Sequence, residues 1–379
     1  MSRSSAASRV RSPAPASVDR RARETVKSLG VYQPGKPIED VQRELGLRSV
    51  IKLASNENAL GPSPKALAAL RSGLSQLHRY PDATCSRLKE ALAKRFGRDP
   101  SWFTVGNGSD ELLVLALRAF VDPGDEVVVA EPTFLIYALQ AKACGARVVS
   151  VPLNGLRYDL KAMRGAVTPN TKLIFIANPD NPTGSYVTKR ELEAFLQDLP
   201  SQTIVVLDEA YYEFVRAKDY PHSVAYLERV PLLITRSFSK VYGLAGLRVG
   251  YGIAQPSIIK ALEAVREPFN VNTLAQLAAA AALEDPAFLR KTLGAVEAGR
   301  RHLTRELARL GLSARPSVTN FLLIELGPKA VELARRLLEQ GVIVRDMRAW
   351  KLDGFLRVTI GTMPENRRFI AALKRCLTQ

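Results

Sequence analysis

The chain has 379 residues, 46% of them hydrophobic and 24% charged, and a formal net charge of +17 at pH 7. This length and composition are typical of a water-soluble protein with a large core and predict two domains, and no apolar run is long enough to span a bilayer. The three cysteines and three histidines are scattered, which argues against a metal site or a Ser-His-Asp triad. Unpaired cysteines favour a reducing, cytoplasmic compartment.

Residues 1–23 differ from the rest of the chain because they are rich in Ser, Ala, Pro and Arg. Six arginines and one aspartate place +5 of the net charge in this segment, so +12 remains in the body. We predict a disordered basic tail; its Arg-rich start resembles a transit peptide but lacks an amphipathic face. The body's charge suits anionic ligands, and without basic runs interleaved with aromatics we expect no nucleic-acid partner.

Short Val/Ile-rich runs alternate with helical patterns from about Trp102 to Ala254. Strands that read as continuous apolar runs are buried on both faces, which predicts an α/β fold with a mostly parallel sheet between helices. The predicted strands are "SWFTVGNG", "DEVVVAEP", "ARVVSVPL", "TKLIFIANP", "TIVVLDEA", "PLLITRSFSK" and "LRVGYGIA".

The pattern changes after Ala254, where a smaller α+β module follows. We predict helices over 256–266, 272–283, 286–310 and 328–340 and from Pro364, with strands in "TNFLLIEL", "GVIVRD" and "FLRVTIG". The predicted organisation is a tail (1–23), an N-terminal arm that belongs to the small domain (24–55), a large domain (56–275) and a small C-terminal domain (276–379).

Polar residues cluster where the predicted strands of the large domain end, which is where open α/β sheets bind ligands. In "VGNGSDELL", Gly108, Ser109 and Asp110 begin a helix whose free N–H groups suit a phosphate, although an ordinary capped helix has the same pattern. In "NPDNPTG", two Asn-Pro pairs force a rigid loop that offers the Asn181 amide to a ligand, or form only an elaborate turn.

Two further strand ends carry ionisable side chains. Asp208 ends "TIVVL" and, being buried, needs either an ion-pair partner or a protonated heterocycle nitrogen, with Tyr211 three residues later. In "SFSKVYGLAGLR", Ser237, Ser239 and Arg248 suit a phosphate, and Lys240 is either a solvated loop lysine or an amine ready to attack a carbonyl.

These four segments together predict one ligand with a phosphate, an aldehyde for the lysine and a basic ring nitrogen for the aspartate. That ligand is pyridoxal 5′-phosphate, whose ring withdraws electrons while its nitrogen stays protonated.

The motifs N-P-x-N-P-T-G, D-E-A-Y and S-x-S-K, with an arginine eight residues past the lysine, resemble those of the fold-type-I pyridoxal-phosphate aminotransferases. Within that group the chain most resembles the histidinol-phosphate aminotransferases, of the class II family, from about Val31 to Gly361. The stretches that carry this resemblance are "VYQPGKPIEDVQRELGL", "KLASNENALGPSP", "HRYPD", "EPFNVNTLAQ", "GVIVRDM" and "LRVTIGT".

The resemblance implies a role for each matching residue. Lys240 would be the Schiff-base lysine that also moves the proton, Asp208 would hold the ring nitrogen, and Tyr211 and Asn181 would bind the ring hydroxyl. Phe134 would stack on the ring, and Tyr80 would reach the phosphate from the partner subunit of a homodimer. The implied phosphate group is Gly108, Ser109, Asp110, Ser237, Ser239 and Arg248, and the implied substrate group is Tyr32, Asn56, Arg345 and Arg357.

The implied reaction interconverts L-histidinol phosphate plus 2-oxoglutarate and imidazole-acetol phosphate plus glutamate by a ping-pong route. One segment departs from the family pattern, since "DMRAWKLDGF" replaces the expected Tyr-Gly-Leu-Pro stretch and brings Trp350 and Lys351 toward the pocket. The alternatives are an aromatic amino acid aminotransferase, a decarboxylase of a phosphorylated amino acid, and a non-catalytic relative that binds an anionic partner.

Overall fold

The computed structural model describes residues 22–27, 29–30, 35–197 and 199–378. The predicted tail, apart from residues 22 and 23, lies outside these residues. No helix in these ranges is both long enough and apolar enough to cross a membrane.

The strands follow one another along the chain, with the longer ones concentrated in the middle. They are β1 (Ile51–Lys52), β2 (Phe103–Gly106), β3 (Glu126–Glu131), β4 (Arg147–Pro152), β5 (Thr171–Ala177), β6 (Ile204–Asp208), β7 (Leu232–Ser237), β8 (Gly250–Ile253), β9 (Ser313–Ala314), β10 (Phe321–Glu325), β11 (Val342–Ile343), β12 (Arg345–Asp346) and β13 (Phe355–Thr359).

The helices alternate with the strands through the first two thirds of the chain. They are α1 (Glu24–Lys27), α2 (Ile38–Leu45), α3 (Pro64–Gly73), α4 (Ser86–Phe96), α5 (Ser109–Phe120), α6 (Ile136–Ala143), α7 (Leu160–Gly165), α8 (Lys189–Leu196), α9 (Pro256–Val265), α10 (Thr273–Leu283), α11 (Pro286–Arg309), α12 (Ala330–Glu339) and α13 (Met363–Thr378).

A seven-stranded sheet forms the centre of the large domain, in the order β2-β8-β7-β6-β5-β3-β4. Strands β4, β3, β5, β6 and β7 run parallel, and β8 lies antiparallel to both β7 and β2. Every residue of β6 and β7 is buried because helices cover both faces of the sheet. The predicted α/β fold is therefore confirmed, and the parallel strands end on one edge.

The small domain is built on an antiparallel sheet in the order β12-β13-β10-β9. Its core is made of apolar side chains from α11, α12, α13 and this sheet, such as Leu303, Leu333, Val358 and Phe369. The short strand β1 pairs with β11 in parallel, and this pairing joins the N-terminal arm to the small domain. Strand β13 carries Arg357 toward the large domain.

The position of the domain boundary remains a prediction, and the packing bears on it. Helix α10 crosses the predicted boundary at residue 275, and its buried alanines Ala275, Ala278 and Ala279 belong to the core of the large domain. On packing alone, we propose that the change of domain follows Leu283, where α10 ends.

Candidate active site

A cavity of about 260 Å³ opens where the parallel strands end and the small domain faces them. Among the predicted residues, it is lined by Asn56, Ser109, Asp110, Phe134, Asn181, Asp208, Tyr211, Ser237, Ser239, Lys240, Arg248, Arg345 and Arg357. Residues from segments more than 300 positions apart thus meet in one place, as expected for the crevice of an open α/β sheet.

Lys240 lies just beyond the end of β7, in the loop between Ser237 and Arg248. Its Nζ is 5.6 Å from the centre of the Tyr211 ring, and the side chain lines the cavity. Lys240 is therefore not the solvated surface lysine that the sequence left open. An amine in this position can reach a carbonyl bound in the cavity.

Asp208 ends β6 and is buried at the floor of the cavity. Tyr137 donates its hydroxyl to Asp208 Oδ2 at 2.7 Å, and the backbone N–H of Ala210 donates to Oδ1 at 3.1 Å. Burial raises the pKa of the Asp208 carboxyl to about 6, against these hydrogen bonds, which lower it. A buried carboxylate with neutral donors is suited to a cationic ligand group.

Tyr137 is a site residue that the sequence analysis missed. Burial, and then the nearby Asp208 charge, raise the pKa of its phenol well above the ordinary value, so it stays protonated and donates. Its ring stacks on Phe175, with centroids 4.9 Å apart, and meets the edge of Phe134 at 5.5 Å. Its position three residues past Phe134, one helical turn, was the available signal.

The start of α5 forms the predicted phosphate end of the cavity. Gly108 caps this helix with φ of +82°, and a Cβ there would lie 2.5 Å from Arg248 Nη2. A Cβ on Gly250 would lie 2.5 Å from the Ser109 nitrogen. Glycine at these two positions lets β8 and Arg248 approach the free N–H groups of the helix.

Arg248 joins this helix start to the lysine loop. Its Nη1 donates to Ser239 Oγ at 3.3 Å, and its Nη2 lies 3.4 Å from Asp110 Oδ2. Ser237 Oγ accepts the backbone N–H of Ser239 at 3.0 Å. Glu111 accepts the backbone N–H of Asn107, and Gly108 caps α5 without a side chain, so the helix start is not an ordinary side-chain cap. Ser109 and Asp110, the first residues of the helix, line the cavity.

Asn56 and Arg357 connect the small domain to the large one. The Asn56 amide donates to the Tyr211 hydroxyl at 2.9 Å. Arg357 donates to Asn181 Oδ1 and, at 2.8 Å, to the Ala54 carbonyl. Arg357 is buried, and Arg345 lies opposite it across the β12–β13 pair, so two cations face the same cavity.

The Asn181 loop is fixed by a buried carboxylate that the sequence analysis did not single out. Asp180 accepts the hydroxyls of Thr183 at 2.7 Å and Thr133 at 2.9 Å, and the Thr183 backbone N–H at 3.1 Å. Burial raises its pKa to about 6. The loop is thus more than a turn, since its hydrogen bonds set the position of Asn181.

Two of the described predicted residues do not line the cavity. Gly108 sits behind the cavity wall against Arg248, and Tyr80 is 83% exposed and stacks on Phe269 at 4.8 Å. Tyr32 lies outside the described residues. Of the departures from the family pattern, Trp350 is buried beside both arginines, whereas Lys351 points outward and binds Glu131 at 2.5 Å.

The donor set fits pyridoxal phosphate. Asp208 offers a carboxylate that could pair with a ring nitrogen, the α5 start with Arg248 and two serines could hold a phosphate, and Lys240 offers an amine in the same cavity. Phe134 lines the same cavity and can cover a ring. Within the described residues no group of His, Cys, Asp and Glu is arranged to hold a metal ion.

Comparison with known proteins agrees with this geometry. The family model for aminotransferase class I and II matches residues 48–373. The chain is 49% identical to a histidinol-phosphate aminotransferase of Moorella thermoacetica, with 94% of this chain and 93% of that protein covered. It is 48% identical to histidinol-phosphate aminotransferase 2 of Ralstonia nicotianae, over 94% and 97% of the two chains.

A solved structure is similar over nearly the whole length. It is the histidinol-phosphate aminotransferase of Sinorhizobium meliloti in complex with pyridoxal-5′-phosphate, with a TM-score of 0.88, 31% identity and 94% and 98% of the two chains covered. With the family match spanning most of the chain and the site carrying the residues that its motifs predict, this protein belongs to the class I and II aminotransferases.

Proposed function

We propose that this aminotransferase uses pyridoxal phosphate to interconvert L-histidinol phosphate plus 2-oxoglutarate and imidazole-acetol phosphate plus glutamate. The observation that carries the proposal is one cavity in which Lys240 and Asp208 face the cation pair Arg345 and Arg357. The names of the similar proteins support the substrate, since they are histidinol-phosphate aminotransferases at 48–49% identity over 94% of this chain.

Different residues of the cavity would bind different parts of the cofactor. Asp208 would keep a proton on the ring nitrogen, and Ser109, Ser237, Ser239 and Arg248 would bind the phosphate. When bound, pyridoxal phosphate supplies an aldehyde that accepts and returns an amino group and a protonated ring that withdraws electrons from the substrate.

Hydrogen bonds already present in the site determine which atoms remain to donate. Asn181 accepts from Arg357 through its Oδ1, which leaves its NH₂ group as a donor. Tyr211 accepts from Asn56, which leaves its own O–H to donate. Both side chains therefore present donors to the oxygen of the cofactor's ring hydroxyl.

Lys240 is the general acid and base. With the cofactor bound, its amine would take a proton from the substrate α-carbon and give it back on the cofactor side, as the 1,3-proton shift of transamination requires. The same residue serves both half-reactions, so the two substrates bind one after the other.

The arginine pair explains how one site accepts two different substrates. Glutamate carries two carboxylates, whereas histidinol phosphate carries a phosphate and no α-carboxylate. Each substrate can place an anion on a guanidinium, whose N–H edge matches a carboxylate or phosphate in a bidentate manner.

A homodimer in the cytoplasm is part of the proposal. Tyr80, Phe269, Leu74 and Leu77 are large apolar side chains that are exposed on one protomer, and such surfaces mark interfaces. Tyr80 would then reach the phosphate site of the partner. The free cysteines Cys85, Cys144 and Cys376 suit a reducing compartment.

A single-turnover half-reaction tests the function. The enzyme is loaded with pyridoxal phosphate, mixed separately with histidinol phosphate, glutamate or phenylalanine, and followed by the absorbance change to the pyridoxamine form. Fast conversion with the first two and slow conversion with phenylalanine supports the proposal. Fast conversion with phenylalanine and none with histidinol phosphate would assign the enzyme to aromatic amino acids.

A further inference from the structure

Three side chains lie in one row across the small-domain sheet. Leu323 on β10 is the register partner of Arg357 on β13, and Arg357 is the register partner of Arg345 on β12. Side chains directly opposite on neighbouring strands point to the same face and lie close together. Two guanidinium groups are therefore adjacent on the face that borders the active-site cavity.

This arrangement is unfavourable by itself. Like charges directly opposite on paired strands repel, and Arg357 is only 6% exposed, so water screens the repulsion weakly. Either side chain can relieve the repulsion by turning away, which would separate the two anion-binding groups. A partner that attracts both cations would hold them together.

The Trp350 ring meets that requirement. It lies in the short turn that connects β12 and β13, is 2% exposed, and packs in a cluster with Leu323 and Met347. The ring centre is 5.2 Å from Cζ of Arg345 and 5.6 Å from Cζ of Arg357, within the range of a cation–π interaction. One buried ring thus contacts both guanidinium groups of the pair.

We propose that Trp350 is a positioning residue that holds Arg345 and Arg357 together as a clamp for substrates with two anionic groups. A guanidinium packed against a ring keeps its N–H edges free to bind a carboxylate or phosphate. The indole N–H has no hydrogen-bond partner within the described residues, so the ring and not the N–H carries this role. The inference rests on the proposed function and adds the residue that selects its substrate class.

The two arginines depend on the ring to different degrees. Arg357 is also held by Asn181, by the Ala54 carbonyl and by the Phe321 ring at 5.4 Å. Arg345 is half-buried, so its side chain has more room to turn away than that of the buried Arg357. Loss of the ring is therefore expected to impair binding of the second, distal anion more than binding at Arg357.

Two amino acids that differ in one carboxylate test this expectation. Glutamate has a distal carboxylate, and norvaline has the same chain length without it. In half-reactions of the pyridoxal-phosphate enzyme, Trp350→Leu is expected to raise the half-saturating glutamate concentration about tenfold and that of norvaline less than about twofold. Trp350→Phe, which keeps a ring, is expected to stay within about threefold of wild type for both.

Met347→Ala is the matched control because it truncates a fully buried member of the same cluster. It is expected to lower the melting temperature without changing the ratio of the glutamate and norvaline constants. An equal change for both amino acids in Trp350→Leu, or the same change in Met347→Ala, would overturn the proposal. Turnover of wild type with glutamate and histidinol phosphate is measured first, so a failure of the proposed function is recognised separately.

Fluorescence gives a second test that does not depend on turnover or on the folding of a Trp350 variant. The chain has two tryptophans, and Trp102→Phe leaves Trp350 as the remaining one. Glutarate, a dicarboxylate without an amine, is expected to change the emission of the Trp102→Phe holoenzyme. An emission change that persists when Arg345→Met is added, or no change at all, would contradict a ring in contact with the anion clamp.

Discussion

At the scale of single residues, the most unusual group is Asp208, a buried carboxyl whose neighbours are neutral donors. The ordinary pKa of 3.8 applies in the unfolded chain, and burial raises it to about 6 in the folded one. Between these values the folded protein holds a proton that the unfolded chain has lost, so Asp208 makes stability fall as pH rises. Above about pH 6 the carboxyl is charged in the folded protein, so the free energy of unfolding is lowered by the full cost of burying that charge.

Asp208→Asn removes this titration and therefore gives a pH-dependent stability difference. In the cofactor-free protein we expect the variant to gain about 3 kcal/mol relative to wild type between about pH 4 and pH 7, and to bind the cofactor more weakly. Urea unfolding at both pH values measures the difference. Asp180 titrates in both proteins, and the Asp208 charge raises the Asp180 pKa only in wild type, which adds to the same trend. A difference that does not vary with pH would contradict the assignment.

Lys240 is the residue to which we assign the proton transfer. Lys240→Ala is expected to lower turnover by at least about 10³-fold, because no other group described in the cavity can move the proton in its place. Steady-state transamination measures this, with the melting temperature as a check on folding. Lys351→Ala is the matched control, since that lysine is 78% exposed and binds Glu131 outside the cavity. Retained full turnover in Lys240→Ala would refute the mechanism.

Many site residues could be identified before the fold was known, because reactive side chains followed apolar strands. Lys240, Asp208, Asn181 and Arg248 were found in this way, and the structure places them in one cavity. Tyr137 and Asp180 were missed for a physical reason. By local pattern, Tyr137 is an aromatic residue on a buried helix face and Asp180 is a turn residue. Their hydrogen bonds are made to residues distant along the chain, which a local pattern does not show.

At the scale of elements, the start of α5 sets the geometry of the proposed phosphate site. Gly108 has φ of +82°, a conformation that a residue with a Cβ rarely adopts, and its Cβ would overlap Arg248. Gly108→Ala is expected to cost about 1–3 kcal/mol of stability. Because it also displaces Arg248, we expect about tenfold weaker binding of pyridoxal phosphate, measured by absorbance titration.

Gly165→Ala is the control for this prediction. Gly165 ends α7, has no positive φ, and an added Cβ there meets nothing within 4 Å. This variant should leave cofactor affinity unchanged. Equal cofactor affinity in Gly108→Ala and wild type would mean that the helix start does not contact the phosphate.

The long elements were predictable because their hydrophobic patterns are periodic, and the short ones were not. The strands β3, β5 and β6 and the helices α9, α10 and α11 lie within one or two residues of the predicted limits. The segment "GVIVRD" is split into two-residue strands, β11 and β12, that pair with different partners, β1 and β13. Predicted helix 328–340 begins as a 3₁₀ turn over Gly327–Lys329, and α12 starts at Ala330. The bounds of these short elements depend on pairing between distant segments, which a local sequence pattern does not show.

At the scale of the whole molecule, residues 1–23 and the surface around Tyr80 remain to be assigned. Removal of residues 1–23 is expected to leave transamination unchanged, because every described residue that lines the cavity lies at or after Gly35. Steady-state assays of the shortened and full chains measure this. A loss of turnover of more than about twofold would show that the basic segment contributes to the activity of the enzyme.

The exposed position of Tyr80 leads to a prediction that distinguishes a dimer from a monomer. If Tyr80 completes the phosphate site of the partner, a Lys240→Ala chain and a Tyr80→Ala chain each lack a different part of the same composite site. Mixing them under conditions of subunit exchange yields heterodimers in which one site has Lys240 from one chain and Tyr80 from the other. About a quarter of wild-type activity per protomer is then expected at equal amounts, since half of the dimers are mixed and each has one intact site.

The complementation is assayed at cofactor concentrations low enough for Tyr80→Ala alone to be poorly active. A control mixture uses Tyr80→Ala with a chain that carries Leu77→Glu in addition to Lys240→Ala, because Leu77 is 60% exposed beside Tyr80 and a charge there should oppose association. Light scattering reports the dimer fraction of each mixture. If Tyr80 acts within its own chain, mixing recovers no activity, however stable the dimer is. If activity is recovered and Leu77→Glu abolishes this recovery, each active site contains residues from two chains.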